Sequence, residues 1–143
     1  VYDRDVTKFS IDEMVGSLSR LSVLGIIEKI TLFMDVTYIN PEESSGLLWD
    51  YPDLPEKISI LSSNSNGETS QLFNDKKHSF FTYSLLKGLS GNADDGDNII
   101  DLGEITEYVY KSVPENIRNQ PGSLRQNPKF NGLDLKRILL DLR

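Results

Sequence analysis

Ile26-Ile27-Glu28-Lys29-Ile30-Thr31-Leu32-Phe33-Met34-Asp35-Val36-Thr37-Tyr38 is the stretch whose reading decides the fold. From Ile30 to Met34 almost every side chain is apolar, β-branched or aromatic. A short run of that kind suits a strand covered on both faces, as in a parallel sheet flanked by helices. The expectation is a central strand whose C-terminal end delivers Asp35, Val36, Thr37 and Tyr38 to the sheet edge, where open α/β folds place ligand crevices. Asn40-Pro41 then turns the chain away.

Working outward, Phe9 to Met14 carries a helix-start signal: Ser10 and Glu13 have capping-box spacing, with Phe9 and Met14 outside it as a staple. Ile11, Met14, Val15 and Leu18 follow the rhythm of one buried helical face, and Gly25 is placed to stop that helix. Beyond the strand, Leu47, Leu48 and Trp49 lie between prolines in a stretch read as a packed loop. Lys57 to Ser62 reads as a second strand, followed by a Ser/Asn-rich loop from Ser62 to Ser70. A helix is expected from near His78-Ser79 to about Gly88–Gly91, buried through Phe81, Leu85 and Leu89. A further helix is expected behind Asp101 and Glu104, whose spacing again fits a capping box, with Ile100 and Ile105 flanking it and Pro114 ending or kinking it. Leu133 to Leu142 reads as either strand or helix.

With 143 residues, 38% hydrophobic and 26% charged, the chain has the size and composition of one globular domain. No apolar run approaches the roughly 18 residues of a membrane span. A net charge of −7 without a basic run argues against a nucleic-acid partner. The chain has no cysteine, which removes disulfides, thiolate metal sites and thiol nucleophiles together.

Taken together, the order of motifs resembles the caspase-like peptidases, in particular their bacterial and metacaspase-type members. The likeness runs from the apolar strand ending at Asp35, through the Ser loop and the run Lys77 to Leu89, to Ala93–Glu104, Tyr108-Val109 and Gln126-Asn127-Pro128. It implies a three-layer α/β/α sandwich around a mostly parallel sheet, with residues 1–143 as the C-terminal part of a single such domain and its N-terminal strands lying before Val1. It also implies a nucleophile strand in which Asp, a small residue, Cys and an aromatic or His follow one another. Here those places read Asp35, Val36, Thr37 and Tyr38, so Thr37 stands at the nucleophile position. A threonine hydroxyl needs a positioned base or its own terminal amine to act. The family's histidine belongs on an earlier strand, whereas the sole histidine here, His78, falls at a helix start. No catalytic residue is carried over. The expectation is a pseudopeptidase or protein-interaction module; the alternative is part of an active Arg/Lys-directed cysteine endopeptidase whose Cys was replaced and whose His lies upstream or on another chain. Either reading expects a protein or peptide partner, and an upstream half or a second chain to complete the sheet.

The resemblance implies that Asp35 binds a basic side chain, for which a strand-end carboxylate offers a charge-assisted pair; the other reading has it satisfied by loop amides. Ser62, Ser63, Glu68 and Ser70 would edge the same pocket, or form a solvated turn. The acidic run Ala93–Glu104 raises calcium as a possible cofactor, with Asp94, Asp97, Asp101 and Glu104 as oxygen donors. Its spacing departs from a twelve-residue calcium loop, so a plain acidic turn before a capped helix stands beside that reading.

Overall fold

The computed structural model describes residues 11–25, 27–36, 54–65, 67–122 and 124–143, with the side chains of 11 and 12 left aside. Ser10, Thr37, Tyr38 and Trp49, and the readings that rest on them, lie outside the described residues. Among the described residues the fold is mixed α/β, with strands in one three-stranded sheet and two two-stranded ribbons, none closed into a barrel.

Helix α1 is Ile11–Val23, and Gly25, at φ +70°, ends it by donating its amide to the Ser22 carbonyl at 3.1 Å. Strand β1, Ile30–Met34, pairs in parallel with β2, Ile58–Ser62, in the register Ile30 to Ile58 through Met34 to Ser62. Among the described residues the middle of the sheet is β2 and not β1. Every residue of β2 is buried, whereas β1 is only half-buried and its Phe33 is 36% exposed. An apolar run reports what a strand can tolerate on its faces, and neighbours decide how much of it is covered. Among the described residues β1 has a strand on one side only.

The alternation of β2 sends its side chains into two cores. Ile58 and Ile60 pack with Val15 and Leu18 of α1 and with Ile30, Leu32, Met34 and Leu54. Leu61 joins the opposite core, where Phe80, Phe81, Leu85, Ile100, Ile105, Val109, Val113 and Ile117 are buried. Helices therefore cover both faces of the sheet.

That second core is built by a chain of short elements. Strands β3, Leu72–Phe73, and β4, His78–Ser79, form a hairpin around a 3-10 turn at Asn74–Lys76. Helix α2, Phe80–Lys87, follows with Ser79 as its N-cap and runs into a π turn, Gly88–Asn92. The expected helix start at His78-Ser79 is thus strand β4, whose last residue caps the helix. Strand β5, Ile99–Asp101, leads into helix α3, Leu102–Arg118. Asp101 and Glu104 cap α3 reciprocally, the Asp101 carboxylate accepting the Glu104 amide at 2.9 Å and the Glu104 carboxylate accepting the Asp101 amide at 2.7 Å. Pro114 does not end this helix. Val113 and Ile117 on either side of it are buried in the core, and that packing outweighs the one lost backbone bond.

Strand β6, Lys129–Asn131, pairs antiparallel with β2 and was not foreseen in the sequence. The strands approach closely beside Gly132, where an added Cβ would lie 2.5 Å from the Ser59 hydroxyl, at a φ of +150°. Leu133 to Leu142 resolves into strand β7, Ile138–Asp141, antiparallel to β5. Among the described residues no helix is long and apolar enough to cross a membrane.

Candidate functional site

Asp35 leaves β1 at its C-terminal end, exposed to solvent. Three hydroxyls donate to its carboxylate. Ser70, just ahead of β3, bonds Oδ1 at 2.5 Å; Thr82 of α2 bonds Oδ2 at 2.6 Å, and Ser79 of β4 bonds Oδ2 as well. The Ser79 hydroxyl oxygen also accepts the Thr82 backbone amide at 2.9 Å, so the cap of α2 and the carboxylate share one side chain. Both Asp35 oxygens are thus held by neutral donors from three different segments, and the charge itself has no counter-ion among the described residues. A pre-oriented, exposed anion without a counter-ion is suited to accept a guanidinium or an ammonium group.

Ser63 sits beside this site rather than in it. Its hydroxyl accepts the Val36 amide at 3.2 Å and donates to Asn64 Oδ1 at 2.6 Å, while its own amide reaches the Met34 carbonyl at 2.8 Å. These bonds fix the backbone on which Asp35 stands. Ser62 points elsewhere, donating to the Lys129 carbonyl at 2.9 Å, and thereby ties β2 to β6.

Glu68 is also turned away from Asp35. Its carboxylate accepts the Asn127 amide at 2.6 Å, the Asn127 side chain at 2.5 Å and the Ser65 amide at 3.2 Å, with the Arg125 guanidinium 3.6 Å away. Gln126, only 1% exposed, completes this clasp. It donates to the Ser63 carbonyl at 2.8 Å and accepts the Gln71 amide at 3.0 Å. Gln71 in turn pairs both ends of its side-chain amide with the Leu124 backbone, at 2.8 and 2.5 Å. A polar loop that would otherwise be a solvated turn is held down by a second loop on both sides, and Ser70 is delivered to Asp35 as a result.

Of the five residues read as a substrate pocket, then, Asp35 and Ser70 touch, Ser63 supports them, and Ser62 and Glu68 brace the walls. Ser79, Thr82, Gln71 and Gln126 were not singled out in the sequence as site residues. Ser79 carried a readable sign, its position before Phe80-Phe81 at the head of a helix. His78 alternates with Ser79 on β4, exposed where Ser79 is buried.

The acidic turn gathers Asp94, Asp95, Asp97 and Glu104, with one carboxylate oxygen from each within 4.8 Å of the others. Three of the four already accept backbone amides: Asp94 from Asn98 at 3.0 Å, Asp97 from Ile99 at 2.8 Å, and Glu104 from Asp95 and Asp101 at 2.9 and 2.7 Å. Asp101 is not in the group. One of its oxygens caps α3 and the other pairs with Lys136 at 3.2 Å, which holds the Lys136 ammonium above its ordinary range. Asp95 stands in its place. This arrangement accounts for the turn as the N-terminal closure of α3.

No family model matches the chain, and neither a curated protein nor a solved structure matches it.

Proposed function

We propose that this chain is part of a caspase-like α/β/α domain that recognises a basic side chain of a protein or peptide through Asp35 without the cysteine–histidine pair of a peptidase. The observation that carries the reading is the exposed Asp35 carboxylate, fixed by the hydroxyls of Ser70, Ser79 and Thr82 at the C-terminal edge of a parallel strand pair. That edge is where α/β folds bind ligands. Helices on both faces of the sheet and the parallel β1–β2 pair support the fold part of the reading. The chemistry supports binding over turnover, because the chain has no thiol and its single histidine is an exposed residue of β4. A further strand alongside the edge of β1 that is unpaired among the described residues, from the same protein or a second chain, is part of the proposal.

Fluorescence anisotropy with short peptides differing at one position tests this. Arg and Lys peptides are expected to bind at least tenfold better than the Gln analogue, since a hydrogen bond to a charged group contributes roughly 1.5–3 kcal/mol. Asp35→Asn removes the difference. Equal binding of the Arg and Gln peptides overturns the proposal. Hydrolysis of an Arg or Lys reporter above a Thr37→Ala control would replace it with a peptidase.

A further inference from the structure

We infer that the peptide held by Asp35 also carries an acidic residue, two or three positions from its basic one, that docks on a lysine patch around Tyr83. The inference rests on the Asp35 reading and deepens it. Thr82 and Tyr83 are consecutive on α2, so their side chains point about 100° apart around the helix. Thr82 faces Asp35, and exposed Leu86 lies one turn beyond it on the same face. Tyr83 opens the neighbouring face, with Lys87 one turn beyond. The Lys76 and Lys87 ammonium groups lie 5.8 and 6.0 Å from the centre of the Tyr83 ring. Phe73 packs edge-on against Tyr83 at 5.2 Å and stacks on the buried Phe80 at 4.6 Å, so the ring beneath the lysines is anchored. Exposed Lys77 follows Lys76 at the same hairpin tip, held at φ +57° with its amide on the Asn74 carbonyl.

Grouping rather than the lack of an ion pair sets this patch apart: Arg20, Lys57, Arg118 and Arg137 also have no carboxylate partner among the described residues, but here two ammonium groups lie over one ring. Lys29, Lys111, Arg125, Lys136 and Arg143 are each paired with a carboxylate. Lys76, Lys77 and Lys87 have no such partner among the described residues; Asp75 is the one acid within their turn. A net charge of −7 disfavours an extended polyanion but leaves a local cationic surface open to one or two carboxylates. Spacing ties the patch to the carboxylate, because Ser79, which bonds Asp35, lies two and three residues past Lys77 and Lys76. Even fully extended, three residues reach no further than about 10 Å, so the patch lies within the span that two to three residues of a bound extended peptide cover.

The test uses the whole chain and labelled peptides bearing one Arg, with Glu or Gln placed two or three positions to either side. The Glu peptide of the correct polarity is expected to bind about three- to tenfold tighter than its Gln twin at low salt, an advantage that disappears near ~0.5 M salt. Lys76→Gln/Lys87→Gln abolishes the advantage and leaves Arg–Gln peptide binding unchanged. Equal affinity of the Glu and Gln peptides on all placements overturns the inference while the Asp35 reading stands. So does an advantage that survives the double substitution or high salt. If the Arg requirement itself is missing, the Asp35 reading fails and the inference falls with it. The salt titration needs only the unsubstituted chain, so the inference remains falsifiable even where a variant folds poorly.

Discussion

The Ser79 hydroxyl donates to the Asp35 carboxylate while its oxygen accepts the Thr82 amide, so one side chain joins the end of β1 to the first turn of α2. The positive end of the helix and the carboxylate are brought together through it, and the charge at the sheet edge complements the helix start. Helix stability and site geometry are therefore coupled at this residue.

Ser79→Ala removes both bonds. The loss of the cap and of a hydrogen bond to a charged group is expected to cost about 1–2 kcal/mol, seen as a drop of several degrees in Tm. Thr82→Val removes a hydroxyl from Asp35 and leaves the cap in place, so it is expected to weaken Arg-peptide binding with a smaller change in Tm. A Ser79→Ala chain that melts and binds as the unsubstituted protein would show that the joint carries neither stability nor recognition.

Gln126 tests whether the neighbouring loop clasp supports the site. It is buried and serves two backbone groups, the Ser63 carbonyl and the Gln71 amide. Gln126→Leu keeps the volume but leaves both unpaired, at roughly 1–3 kcal/mol each. Because Gln71 adjoins Ser70, the substitution is expected to weaken Arg-peptide binding as well as stability, and faster amide hydrogen exchange across Ser63 to Gln71 is the accompanying sign. Lower stability with unchanged binding would confine the clasp to holding the fold.

The parts of the molecule with local signals were legible in the sequence. Asp101 and Glu104 cap α3 as their spacing predicts, because a capping box involves only residues within one helical turn. β1 and β2 were readable from their apolar runs, yet their ranking was not, since burial of β2 depends on β6 arriving from far down the chain. β6 has three residues and no alternation to read, and its position follows from the close approach at Gly132 and from the Tyr110 hydroxyl that accepts the Phe130 amide. The candidate site shows the same division. Asp35 was legible as a strand-end carboxylate, but Ser70, Ser79 and Thr82 reach it from 35, 44 and 47 residues away, distances over which spacing carries no information. Ser62 and Glu68 share the loop with Ser70 and point elsewhere because Lys129 and Asn127 offer them partners.

Tyr110, although 42% exposed, adds a pH-dependent contribution to stability. Burial raises its phenol above the ordinary value of 10.0, only partly offset by the Phe130 amide it accepts. A pKa higher in the folded than in the unfolded chain means that the fold favours the protonated phenol. Its contribution to stability is complete below about pH 10 and is lost as pH rises through the raised folded value. Tyr110→Phe is expected to lower stability at neutral pH by removing the bond to β6, and to flatten the fall above pH 10. Denaturant midpoints at pH 8 and pH 11 check this; an identical alkaline fall in the two proteins would place the titrating group elsewhere.

The acidic turn separates two physical accounts of the same residues. Asp97 accepts the Ile99 amide at 2.8 Å, and Asp94 and Glu104 hold further amides of the same turn, so backbone bonds alone account for its shape. On that account Asp97→Ala costs about 0.5–1.5 kcal/mol, the ordinary worth of one such bond, and the loss is the same in millimolar calcium as in chelator. If the four gathered carboxylates instead hold calcium, the ion binds only the folded chain and raises stability by mass action, by about 2.7 kcal/mol at a hundredfold excess over Kd. Asp97→Ala would then abolish a calcium-dependent rise in Tm rather than lower Tm uniformly. The amide bonds favour the first outcome. A calcium-dependent shift in the unsubstituted chain that vanishes in Asp97→Ala and in Glu104→Gln, but survives Asp101→Asn, would assign the metal to the four gathered carboxylates and leave Asp101 to the helix cap.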